Sequence, residues 1–201
     1  MAPKIETVGQ HLYYAYARLG QCDAAKQKGC EKYSPIHFMI MNKLYKGLNT
    51  GTMSVRSLYD DEKLRMKVPQ ACYYCGSRES LSLDHLVAKK MGGSDDPANF
   101  IYACKTCNSA KGKKDLFEWY QGKGKIPPLM IIKRYLKLVF QYAEAQGLME
   151  APIENLSDLE TPFRLDLIPT SYLDLQSIDY WVYPEDYDGE RIGAAEISVK
   201  K

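Results

Sequence analysis

Apolar residues recur along the first fifty positions at helical spacing. In VGQHLYYAYARL, residues 8–19, a stripe of Leu, Tyr and Ala predicts an amphipathic helix that ends at Gly20. Ser34-Pro35 predicts the start of a second helix, with Ser as N-cap and Pro in the first turn, running to Gly47. A third is expected from Ser54 to Met66, closed by Pro69. From residue 72 the period shortens. Leu81 and Leu83 alternate with Ser82 as in a half-buried strand, and FIYAC, residues 100–104, reads as a second short strand. Between them MGGSDDPAN is rich in turn formers and predicts a surface loop. CNSAKGKK then predicts a short helix with Asn108 in its first turn, and DLFEWY another turn or two. Pro127-Pro128 opens the longest predicted helix, 128–146, stopped at Gly147. Past residue 151, Pro152, Pro162, Pro169 and Pro184 divide short apolar pieces without a regular period. Four regions follow from this pattern: a helical 1–69, a mixed core at 70–122, a helix at 123–150 and an acidic 151–201. The fold class is α+β.

With 45% hydrophobic and 11% aromatic residues in 201, the chain supports a packed core. Its apolar runs are broken by charge well before the roughly 18–20 residues of a membrane span, and MAPKIETVGQ lacks the apolar centre of a secretory signal. A cytoplasmic protein with no membrane partner is expected. The net charge of +2 conceals a division. Residues 1–137 carry 23 Lys and Arg against 12 Asp and Glu, and residues 138–201 carry 4 against 13. A basic body fits a polyanion such as nucleic acid, the plain alternative being a solubilised helical surface. The acidic end is expected to lie over the basic groove as a phosphate mimic.

Four of six cysteines form two Cys-x-x-Cys pairs, Cys72/Cys75 and Cys104/Cys107, separated by 28 residues. Two such pairs supply the four thiolates of a closed, structural, tetrahedral zinc site. A thioredoxin-like surround, which a redox role would need, is missing. Cys22 and Cys30 receive no role. The interval between the pairs exceeds a simple zinc ribbon and holds Asp84, His85 and Asn99.

The stretches CYYCG, LDHLVAKKMGG, DDPANF and ACKTCNSAKG, in that order over residues 70–115, resemble the HNH endonucleases. The resemblance implies a zinc-stapled ββα-metal core, here flanked by mainly helical N- and C-terminal segments. His85 suits the task of making a water nucleophilic, because an imidazole titrates near neutrality. By resemblance Asp84 and Asn108 hold the catalytic divalent ion, Mg²⁺ or Mn²⁺, a hard oxygen site with Asn108 in place of the family's second His. Asp84 and His85 are expected to turn toward one site where the strand ends. By resemblance Asn99 hydrogen-bonds across the loop and fixes the His-bearing segment, though Pro-Ala-Asn is also ordinary turn chemistry. By resemblance Lys111, one helical turn beyond Asn108, lies near the phosphate backbone, and Lys89, Lys90, Lys105, Lys113 and Lys114 form a basic skirt that holds flanking phosphates, the plain alternative for each being a solvated charge. Ala88 stands where the family often has Pro, which predicts a looser loop.

The resemblance implies metal-dependent hydrolysis of DNA, with double-stranded DNA favoured, RNA or single strands left open, and a setting in restriction or antiviral phage defence. Two rivals remain open: a non-catalytic zinc module that only binds nucleic acid, and a nuclease effector silent until a protein partner or second copy docks on the flanking helices or acidic end.

Overall fold

The computed structural model describes residues 3–55, 66, 68–189 and 191. Most of the third helix expected over 54–66 lies outside them.

Helix α1, Val8–Gln27, is capped by Thr7, whose side chain accepts from the Gln10 N–H. It runs through Gly20 rather than ending there. The glycine serves packing: a Cβ at this position would lie 2.6 Å from Leu44 Cδ1, so its absence lets α1 and α2 approach closely. Helix α2, Pro35–Asn49, begins after Ser34, whose N–H donates to His37 Nδ1 at 2.9 Å. Strands β1, Leu81–His85, and β2, Phe100–Cys104, form a two-stranded antiparallel sheet with Leu81 opposite Cys104 and His85 opposite Phe100. Cys104 is itself the N-cap of α3, Lys105–Lys111, so helix follows strand with no linker. Asp115 caps α4, Leu116–Gln121, by accepting from the Phe117 N–H. Helix α5, Leu129–Ala145, ends just before Gly147, which adopts φ 66°. At 17 residues it is shorter than α1 at 20, which reverses the expected order of lengths.

Helix α5 gathers Lys133, Arg134, Lys137, Gln141 and Glu144 on one stripe and is apolar elsewhere, with Leu129, Ile132, Tyr135, Leu136 and Val139 fully enclosed. Around it pack α1, the hairpin and the C-terminal residues. From 151 the chain forms short 3₁₀ turns and extended stretches that strap the molecule. Ile153 donates to the Glu6 carbonyl and Val8 to that of Ala151, both at 2.9 Å. The strap then follows α1, where Arg18 Nε donates to the Thr170 carbonyl, Tyr33 to that of Tyr172 and Lys26 to that of Leu175. It ends over the first cysteine pair, with the Trp181 ring 4.4 Å from Tyr73 and Asp186 paired to Arg78 at 2.7 Å. Phe163, Leu165, Ile168, Tyr172 and Leu175 are buried in the same core as α1 and α5. The acidic end is thus built into the fold by apolar burial and by carbonyls that accept from Arg18, Lys26 and Tyr33.

Candidate active site

The four cysteines converge. The Sγ atoms of Cys72, Cys75, Cys104 and Cys107 all lie within 4.8 Å of one another, Cys75 and Cys104 being 3.7 Å apart. A tetrahedral zinc with bonds of about 2.3 Å requires sulfurs about 3.8 Å apart, so the donor set and its spacing fit zinc. The Cys107 N–H donates to Cys104 Sγ, and the Gly76 N–H to the Cys72 carbonyl, which folds each knuckle around its sulfurs. Burial pushes the Cys72 and Cys107 thiols up.

On β1 the sides of the strand are reversed from the simple pattern. Leu83 is 55% exposed, whereas Asp84 is only 7% exposed. Helix α3 and Tyr74 explain the burial of Asp84, because Lys111 of α3 and the Tyr74 hydroxyl close around its carboxylate while Ser82, two residues earlier, stays exposed. From α3, Asn108 Nδ2 donates to Ser82 Oγ at 3.4 Å, and Lys111 Nζ lies 3.3 Å from Asp84 Oδ2 and donates to the His85 carbonyl at 2.8 Å. Lys111, expected at the phosphate backbone, is therefore an interior residue, 1% exposed. Its stem crosses the packed seam and its ammonium is occupied by protein oxygens, as a buried cation requires. Asp84 Oδ2 also accepts from the Tyr74 hydroxyl at 3.0 Å. Among the described residues Asp84 Oδ1 and Asn108 Oδ1 have no hydrogen-bond partner, and both are the hard oxygen type that a divalent cation could use.

His85 takes the other side. Both residues sit within the paired part of β1, so their side chains leave on opposite faces and meet separate groups, in place of the expected shared turn. The imidazole packs edge-on to Phe100, centroids 4.7 Å apart, and Nε2 lies 2.8 Å from Asp95 Oδ1. Lys89, paired to the other Asp95 oxygen, and His85 hold that carboxyl below the usual carboxylate range. An ionised carboxylate only accepts, so Nε2 is the nitrogen that donates to Asp95, and in the neutral tautomer this bond selects the lone pair lies on Nδ1.

Asn99 organises the loop from within. It is 2% exposed; its Oδ1 accepts from the Val87 N–H at 2.8 Å, and its Nδ2 donates to the carbonyls of Val87 and Ser94, each at 2.9 Å. The Leu86 N–H donates to its carbonyl at 2.7 Å. Arg134 of α5 grips the turn before it, donating to the Ala98 and Pro97 carbonyls at 2.6 and 2.8 Å. Gly93 completes the clamp, since a Cβ there would stand 1.8 Å from the Val87 carbonyl oxygen. Gly93→Ala should lower stability by about 3 kcal/mol and slow any reaction that depends on His85, because the Val87 carbonyl must shift to admit the methyl. Urea unfolding measures the first effect; an unchanged midpoint refutes the clamp.

Lys89, Lys90, Lys113 and Lys114 are exposed, as a basic skirt needs. Tyr74, Asp95 and Arg134 carried no sequence signal of their own. Tyr74 is one of two adjacent tyrosines, Asp95 one of two adjacent turn aspartates, and Arg134 one cation on a helix.

Residues 72–114 match the family model described as HNH endonuclease. No curated protein and no solved structure matches the chain. No helix among the described residues is long and apolar enough to cross a membrane.

Proposed function

From the premise that residues 72–114 form an HNH endonuclease unit, we propose that the protein hydrolyses phosphodiester bonds of double-stranded DNA, with His85 as general base and a divalent ion, Mg²⁺ or Mn²⁺, held by Asp84 and Asn108. The observation that carries this is the division of β1: the His85 imidazole, bonded through Nε2 to Asp95, on one side, and on the side where α3 packs two side-chain oxygens, Asp84 Oδ1 and Asn108 Oδ1, without a hydrogen-bond partner among the described residues. In-line displacement at phosphorus needs the attacking water and the departing oxygen on opposite sides, and a phosphate laid across the end of β1 meets both faces. His85 Nδ1 takes the water proton while Asp95 steadies the ring through Nε2. A bound divalent ion supplies neutralisation of the charge that develops on the phosphoryl group and the 3′ oxygen. The products then carry 5′ phosphate and 3′ hydroxyl ends. Lys89, Lys90, Lys113 and Lys114 hold flanking phosphates without reading sequence. A compact nuclease of this kind suits restriction or phage defence.

Supercoiled plasmid incubated with the zinc-loaded protein and Mg²⁺ should become nicked or linear, with ends that ligate directly, and EDTA should stop the reaction. Retarded but intact plasmid would overturn the catalytic assignment in favour of a zinc module that only binds.

A further inference from the structure

We propose that Tyr74 is a positioning residue that couples the first cysteine knuckle to the divalent-ion site: its hydroxyl occupies Asp84 Oδ2, so the carboxylate presents Oδ1 alone to the ion. The inference rests on the assignment of Asp84 as a ligand and goes beyond it by naming what aims the ligand.

Three features of the geometry converge. Tyr74 lies between Cys72 and Cys75, so the backbone that carries its ring is the backbone the knuckle fixes. Its ring cannot swing freely, because it is buried and packs edge-on to Trp119 with centroids 4.8 Å apart. Its hydroxyl meets Asp84 Oδ2 at 3.0 Å, while Lys111 Nζ approaches the same oxygen at 3.3 Å. Two donors on one carboxylate oxygen fill its accepting directions and leave the other oxygen to bind in monodentate fashion, the mode that suits a small octahedral cation. Lys111 also donates to the His85 carbonyl, so one of the two donors bridges the carboxylate and the backbone of the base. A residue that orients a ligand in this way typically changes metal affinity by about tenfold or more when it is removed.

The test uses the full-length, zinc-loaded chain without DNA. Tyr74→Phe removes one oxygen and keeps the ring. Free Mn²⁺ is titrated by electron paramagnetic resonance against wild type, Tyr74→Phe and Asp84→Asn, with zinc content and melting temperature measured on each. The expected result for Tyr74→Phe is full zinc content, an unchanged melting temperature within a few degrees, and Mn²⁺ binding weakened about tenfold. With DNA and saturating Mn²⁺, kcat should still fall while KM for DNA stays constant, because the carboxylate is misaimed rather than missing. If Asp84→Asn binds Mn²⁺ as wild type does, the ligand assignment fails and this coupling with it. If Asp84→Asn loses Mn²⁺ but Tyr74→Phe does not, the coupling alone fails. Loss of zinc or of folding in Tyr74→Phe also overturns it, since the phenol would then serve the knuckle and not the carboxylate.

Discussion

His85→Ala should lower plasmid cleavage by about a thousandfold while leaving DNA affinity and melting temperature near those of wild type. A positioned general base contributes on the order of 10²–10⁴ in rate, and about a thousandfold is the middle of that range. Stability should be spared because the His85 side chain is 27% exposed and its partners are an edge contact with Phe100 and the surface residue Asp95. Lys111 bonds the His85 carbonyl, which the substitution keeps. Asp95→Asn provides the graded control. It preserves shape but offers an amide in place of an obligate acceptor, so the ring loses its fixed tautomer and orientation, and a fall of about tenfold is expected. Cleavage rates at saturating Mg²⁺ decide the matter. Wild-type activity in His85→Ala would remove the base assignment, and equal losses in the two variants would show that Asp95 does more than orient.

What the sequence disclosed was local in nature. Paired cysteines, an alternating pair of leucines and a loop dense in turn formers each carry their meaning within a few residues, and the hairpin, α3 and the sulfur cluster follow from them. What it hid depends on partners far along the chain. Gly20 looks like a helix stop because a lone glycine usually is one, yet its missing side chain makes room for Leu44. The spacing of Lys111 from Asn108 does put both on the face toward β1, but nothing in the spacing says that Lys111 itself is buried there. Asp95 cannot be told from Asp96 by composition; the first accepts from His85 and the second caps the turn by accepting from the Ala98 N–H. The strap after residue 151 shows no period because its apolar residues fill gaps between elements rather than lining one face.

Stripping zinc should cost more stability than any surface change, more than about 4 kcal/mol, and lower the melting temperature by about 10 °C or more in a chain of this length. Cys72 and Cys107 are buried and burial pushes their thiols up, so without the ion they favour the neutral form and no bond replaces the four metal–sulfur bonds. The loss spreads because the knuckles are joints. Cys104 ends β2 and caps α3, while Tyr73, beside Cys72, supports Trp181 of the strap. Protons compete with zinc for the same sulfurs, so acidification should weaken the site, and raised thiol values in the metal-free form bring that loss to higher pH. Cys107→Ser should mimic the chelated protein. Elemental analysis should give one zinc per chain for wild type and less for the variant. A thiol reagent should then modify Cys72, Cys75 and Cys104 in that variant while zinc-loaded wild type protects them. A zinc-free chain that melts like the loaded one would refute the structural role, and it would leave the hairpin held by its apolar contacts with α5 and the strap alone.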